Sequence, residues 1–190
     1  PLILKADSKC RVTEMMIDAP ASKDSYVGMG MFIFGRSLLV DVLEDTYSRG
    51  LVHLERDYLQ RRFNEKKLNV QVYPFDGVVL RNEDVRSYFA NNMALLDQNV
   101  RGGLFKGDRP IYTKVRDEAP TYYGEGSEIS DCLVADGCVM RGEAERSILF
   151  RGVTLEEGAK VKSSIIMQGT KVGKGAVLDC VILDKNVTVR

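Results

Sequence analysis

The chain has no tryptophan, a single histidine and only five prolines in 190 residues. Its four cysteines, Cys10, Cys132, Cys138 and Cys180, form no Cys-x-x-Cys pair. A zinc site would need ligands at close spacing that are missing here, so the thiols read as reduced and mostly buried. The lone His53 supports no Ser–His or Cys–His arrangement for nucleophilic catalysis and reads as a surface or capping residue. Charge of one sign is also missing: Lys plus Arg and Asp plus Glu number 27 each. That balance argues against nucleic acid as the main partner. No hydrophobic run is long enough to cross a bilayer, since the longest, Val27 to Gly35, stops at Arg36. No basic-then-apolar signal segment opens the chain. The expectation is a cytoplasmic protein without a membrane partner. The sequon Asn186-Val187-Thr188 then reads as accidental. Pro1 to Lys5 starts like a strand without an initiator Met, and Val187 to Arg190 is again strand-like, so a fragment of a longer protein is expected.

What is present is ordinary globular composition, 44% hydrophobic and 28% charged, arranged in two different grammars. The first half alternates strands and helices. Leu2 to Lys5, Arg11 to Ile17 and Tyr26 to Phe34 are β-rich runs, with a loop from Asp18 to Asp24 between the last two. Ser37 to Tyr47 reads as a helix with Leu38, Leu39, Val42 and Leu43 on one face and Gly50 just past its end. Leu54 to Phe63 reads as a second helix, with Tyr58, Leu59 and Phe63 inward. Asn69 to Phe75 alternates like a strand. Phe75 to Met93 predicts a short strand, a polar corner at Arg81 to Asp84, and a helix. In that helix Asn82 is the expected N-cap, Glu83 and Asp84 fill the first turn, and Val85, Tyr88, Phe89, Asn92, Met93 and Leu96 form the packing face. Acids there discourage a phosphate from using the helix N-terminus.

Asn99 to Pro110, with three glycines, reads as a linker. A short strand from Ile111 to Lys114 and a polar stretch from Arg116 to Glu128 follow. From Ile129 the grammar changes. Apolar or small residues recur in i, i+2 pairs about every six residues: Cys132 and Val134, Cys138 and Met140, Ile148 and Phe150, Val153 and Leu155, Ala159 and Val161, Ile165 and Met167, Val187 and Val189. Glycines punctuate the gaps. This is the pattern of a hexapeptide-repeat parallel β-helix, with somewhat more than three coils. Cys132 and Cys138 then read as small core residues. The expected domains are 1–115, α/β with its linker, and 127–190, the β-helix. Hexapeptide acyltransferases use a histidine on a coil, and residues 127–190 contain none, which disfavours them. The Gly169-Thr-Lys-Val-Gly173-Lys174-Gly175 stretch has the wrong spacing and context for a phosphate loop. Gly28-Met29-Gly30 is too short for a dinucleotide fingerprint, and its glycines suit either close approach to a ligand or tight packing.

Four stretches taken in order carry a family resemblance. "GMGMFIF" (28–34), "RPIYTKVRDEAPT" (109–121), "SEISDCLVADGCVMRGEAERSILFRGV" (127–153) and "AVLDCVILDKN" (176–186) resemble glucose-1-phosphate adenylyltransferases, and most of all the GlgD-type branch, non-catalytic or weakly catalytic paralogues in bacterial glycogen biosynthesis. The resemblance implies a nucleotidyltransferase-like α/β domain, here its C-terminal part, followed by a left-handed parallel β-helix. It implies a family reaction in which glucose 1-phosphate attacks the α-phosphate of ATP, with magnesium held by aspartates.

Against that pattern, ungapped counting places Arg81 where the family keeps a metal-binding aspartate, and a cation cannot ligate magnesium. The sugar-phosphate region is represented only by Asp18, Lys23, Gly28, Met29 and Gly30, with the motif lysine missing. The resemblance therefore implies no catalytic, metal or cofactor site in this chain, with Mg and ATP belonging to the family's catalytic subunit. The fragment is expected to be inactive and the longer protein weakly active or non-catalytic. Implied partners are a catalytic glucose-1-phosphate adenylyltransferase subunit in a hetero-oligomer, and sugar-phosphate effectors. An active adenylyltransferase at full length, or a β-helix oligomerisation module, are the alternatives.

Overall fold

The computed structural model describes residues 1–113 and 115–190. Two compact units divide the chain, Pro1–Asp76 and Gly77–Arg190.

In the first unit, β1 (Leu2–Ala6) is the middle strand of an antiparallel sheet between β2 (Val12–Ile17) and β3 (Tyr26–Val27). Leu2, Leu4, Val12 and Met15 are buried with Val42, Tyr58 and Leu59, which come from the helical elements. The expected strand from Tyr26 to Phe34 is cut short. Its register runs antiparallel to β1, with Leu4 opposite Tyr26 and Ile3 opposite Val27, and the Gly28 amide donates to the Leu2 carbonyl at 2.8 Å. Residues 30–34 are irregular, with Met31 and Ile33 exposed.

Helix α1 (Arg36–Ser48) forms as expected. It ends in a Schellman motif: the Leu51 amide reaches the Thr46 carbonyl at 2.9 Å, the Gly50 amide reaches Tyr47 at 3.2 Å, and Gly50 takes φ +64. Only Leu38 and Val42 face inward. Leu39 and Leu43 are exposed, a correction to the expected four-residue stripe. Leu54–Gln60 is a π-helical stretch running into α2 (Arg61–Asn64), and it does bury Tyr58 and Leu59. The expected strand at Asn69–Phe75 reduces to one bridge, Arg11 opposite Gln71. Its alternation is nonetheless real, since Leu68, Val70 and Val72 pack against the core.

The second unit opens irregularly. Residues 75–80 form no strand. Helix α3 (Val85–Ala94) buries none of its residues completely, and Val85, expected on the packing face, is exposed. The expected linker contains a helix, α4 (Gln98–Leu104), capped by Asp97. Glycine at 103 allows this helix to sit against Val78, because a Cβ there would lie 2.6 Å from Val78 Cγ2. Of the expected strand at Ile111–Lys114, residues 111–113 are irregular and Lys114 lies outside the described residues.

The repeats build a parallel β-solenoid of three sheets and about four turns. The first sheet stacks β4 (Tyr122–Tyr123), β7 (Val139–Met140), β10 (Thr154–Leu155), β13 (Lys171–Val172) and β16 (Thr188–Val189). The second stacks β5 (Glu128–Ser130), β8 (Glu143–Glu145), β11 (Lys160–Lys162) and β14 (Val177–Asp179). The third stacks β6 (Leu133–Val134), β9 (Ile148–Leu149), β12 (Ile165–Ile166) and β15 (Ile182–Leu183). The coil thus begins at Tyr122, ahead of the expected residue 127. Its turns are not uniform hexads. Glu128 stands opposite Glu143, a 15-residue coil, whereas Glu143 stands opposite Lys160 and Lys160 opposite Val177, 17-residue coils.

The interior holds Cys138, Met140, Ala144, Leu149, Val153, Leu155, Ala159, Val161, Ile166 and Val172. In the third sheet Leu149 and Ile166 join this interior cluster; of the expected pairs, Ile148 and Ile165 are buried but lie outside it, Phe150 is exposed and Met167 half-buried. A one-residue register difference exchanges the two faces of a strand. The next two positions stacked on Cys132 in this column are serines, followed by Val181. Ser147 Oγ donates to the Glu145 carbonyl (2.8 Å) and accepts from the Ser164 amide (3.0 Å). Ser164 Oγ repeats the pattern with Lys162 and Val181. Both serines are fully buried and satisfied, which keeps their burial from being costly.

Candidate functional site

The polar corner before α3 is organised by a capping box. Asp84 is the N-cap, in extended conformation, and its carboxylate accepts from the Ser87 amide at 2.6 Å. Ser87 Oγ accepts in return from the Asp84 amide at 2.9 Å. This corrects the expected cap, Asn82. Asn82 instead accepts through Oδ1 from Asn91 Nδ2 at 2.8 Å, and the same amide reaches the Arg81 carbonyl at 2.8 Å. Glu83 and Asp84 thus precede the helix, and its first turn holds no acid. The bonds from Ser87 hold the Asp84 carboxyl below the usual carboxylate range. Arg81 Nε lies 3.0 Å from Glu83 Oε1, both side chains partly exposed. Ser87 and Asn91 are the residues that sequence reasoning missed. The acid-x-x-Ser spacing from Asp84 to Ser87 was the available signal for the first, and nothing local marks the second.

In the other unit, Asp18 takes φ +55 at the end of β2. Its carboxylate accepts from Arg56 Nη2 at 3.0 Å. Gly28 packs tightly on β1, where an added Cβ would sit 3.1 Å from Leu2 Cβ. Of the two readings open for this glycine, packing is the one with an atomic contact. Gly30 takes φ +72 with nothing within 4 Å of an added Cβ, and Met29 and Lys23 are exposed. Within this unit Asp18 is drawn to Arg56, and Lys23 makes no ion pair among the described residues.

Two surface depressions stand out. One lies over the outer face of the second solenoid sheet; the other lies on α1 between Leu43, Tyr47 and Leu51. Neither includes Asp18, Lys23, Gly28, Met29, Gly30 or Arg81. Among the described residues no group of three or more His, Cys, Asp or Glu side chains is placed to hold a metal ion. All four cysteines are free, and burial pushes the Cys132 and Cys138 thiols up. No helix among the described residues is long and apolar enough to cross a membrane.

Residues 118–190 match the family described as GlmU-like, C-terminal hexapeptide. Over 189 residues, 98% of the chain, the sequence is 29% identical to proteins named glucose-1-phosphate adenylyltransferase from Bacillus thuringiensis (strain Al Hakam), Bacillus anthracis and Bacillus mycoides (strain KBAB4). The chain spans about half the length of these curated relatives, 50% of each. The resemblance carried by the four sequence stretches thus extends along nearly the whole chain, which is similar to proteins named glucose-1-phosphate adenylyltransferase and carries a match to a hexapeptide-repeat domain at its C-terminal end.

Proposed function

We propose that this chain is part of a GlgD-type subunit, a cytoplasmic regulatory or assembly partner of a catalytic glucose-1-phosphate adenylyltransferase in ADP-glucose synthesis. In this reading residues 1–115 are the C-terminal part of a nucleotidyltransferase-like domain and the solenoid is left-handed. The observation that carries it is the Arg81–Glu83 pair at 3.0 Å. The family reaction needs a divalent cation to neutralise charge as phosphate transfers. The residues present do not fit that ion. Arg81 places a fixed positive charge at the corner, Glu83 is turned toward it, and Asp84 is committed to the helix cap. No catalytic step is routed through this corner. In the nearest match to the sugar-phosphate motif Asp18 is paired with Arg56, and the motif's lysine is missing, with Lys23 only a distant stand-in.

The test compares ADP-glucose synthesis by the protein alone, by a catalytic relative alone, and by a mixture of the two. The reading expects no synthesis alone, co-purification in the mixture, and altered kinetics of the relative. Robust synthesis by the protein alone overturns it, and so does a mixture that neither co-purifies nor changes rate.

A further inference from the structure

The outer face of the second solenoid sheet has a charge order independent of the reading above. On each strand the middle residue points into the core, so the flanking residues point out: Val161 is buried while Lys160 and Lys162 are exposed. Along the solenoid, the second strand therefore presents Glu143 and Glu145, and the third presents Lys160 and Lys162 directly beside them. The first strand adds Glu128 and Ser130; the fourth adds Val177 and Asp179.

An acidic band next to a basic band is self-complementary under one operation only. A two-fold axis parallel to the strands, passing between the second and third, reverses strand order and keeps residue order. It sets Glu143 over Lys160 and Glu145 over Lys162, twice each, with Ser130 over Asp179 and Glu128 over Val177. An axis along the solenoid would instead set like charge on like. We propose that this face pairs with the same face of a second copy of the chain, through a two-fold network of these four charged residues.

Within one chain Lys160 Nζ already meets Glu143 at 2.9 Å and Lys162 Nζ meets Glu145 at 3.1 Å. These bonds do not exhaust the groups. An ammonium has three donors and a carboxylate about four acceptor sites, so each can take a second partner from the facing copy. All four side chains stay 45–59% exposed, and Val177 leaves 71% of its surface open on an outward strand position. An isolated exposed pair contributes little, whereas interlocked pairs act as a network. Four strands at about 4.8 Å spacing and three residues of width cover roughly 200 Å². Stable interfaces bury about 800 Å² per partner, so the pair is weak and reversible.

Sedimentation equilibrium of the chain at rising concentration, in low and high salt, is the primary measurement. Self-association that weakens with salt is expected; a monomer up to roughly 1 mM, the weak limit of specific pairing, overturns the proposal. The double variants Lys160→Glu with Lys162→Glu, and Glu143→Lys with Glu145→Lys, should each associate at least about tenfold more weakly alone. Mixed together they should pair one to one, which native mass spectrometry reads directly. If neither reversal weakens association, or if the mixture does not pair, the proposal is wrong. Should a reversal fail to fold by circular dichroism, Lys160→Gln with Lys162→Gln removes the attraction without like-charge repulsion, and unchanged association in that variant is equally fatal. A chain that stays monomeric yet binds a catalytic relative through these charges assigns the face to that relative and overturns self-pairing.

Discussion

Arg81 and Glu83 hold each other at 3.0 Å, two residues apart in an irregular segment just before α3. Such an exposed pair contributes little stability, so its consequence is chemical. Under the proposed function it puts a cation where the resemblance expects a metal-binding aspartate. Arg81→Asp exchanges that cation for a third carboxylate beside Glu83 and Asp84. Calorimetric titration should then detect magnesium binding in the variant at millimolar concentration and none in the parent. Equal binding by both would show that Glu83 and Asp84 already suffice, and would remove the main support for a partner role.

The Asp84–Ser87 capping box makes a pH prediction. The folded carboxyl titrates below its ordinary value because the Ser87 amide and hydroxyl bond the charged form. The unfolded segment therefore binds more protons, and stability rises with pH. The contribution is complete above the unfolded value of 3.8 and is lost as pH falls through the lower folded value. Amide exchange at residues 85–88 should accelerate below about pH 4, beyond the intrinsic pH effect. Asp84→Ala should show fast exchange throughout and no such step. Ser87→Ala should lose part of the protection, because the aspartate still accepts from the backbone.

Leu149 and Phe150 separate the two possible registers of the solenoid's third sheet. Leu149 is 1% exposed and Phe150 37%. Leu149→Ala should cost about 2–5 kcal/mol by removing a close-packed interior side chain. Phe150→Ala should cost less, although phenylalanine is larger, because much of its ring already meets solvent. Chemical denaturation of both variants checks this, and a larger loss at Phe150 would restore the register expected from the sequence.

The solenoid was legible because its signal repeats: turn glycines and small inward residues recur coil after coil, so local errors average out. Its phase was not fully legible. Ile148, Leu149 and Phe150 are all apolar, and so are Ile165, Ile166 and Met167, leaving periodicity free to slide by one residue. Packing of Leu149 and Ile166 into the interior cluster is what fixes it. Strands in the first half failed for another reason. Residues 28–34 and 69–75 have strand composition, but composition cannot show whether a partner lies alongside. At the candidate corner, residue types pointed to a capped helix, yet Asn82, Glu83 and Asp84 are all acceptable near a cap. The choice fell to Asp84 because Ser87 stands three residues beyond it and completes the reciprocal pair.

Gly142 occupies the turn of the short coil. Between Met140 and Glu143 only two residues turn the corner, whereas Leu155 to Lys160 uses four. The chain there runs against the next coil: a Cβ on residue 142 would fall 2.4 Å from the Ala159 carbonyl oxygen and 2.8 Å from that of Glu156. Both obstacles are backbone, so neither can swing aside as a side chain would. The Ala159 carbonyl is also fixed by the Glu143 amide at 2.8 Å. Gly142→Ala should therefore destabilise the solenoid by about 1–3 kcal/mol or more, the range for forcing atoms into a packed interior. The increment should appear as a lower denaturation midpoint with an unchanged slope. Gly102→Ala is the matched control, since nothing lies within 4 Å of a Cβ there and the residue sits inside α4. Alanine in a helix interior is worth roughly 1 kcal/mol over glycine, so that variant should hold or gain stability. Similar losses at both positions would mean that close backbone approach is not what keeps glycine in the short turn.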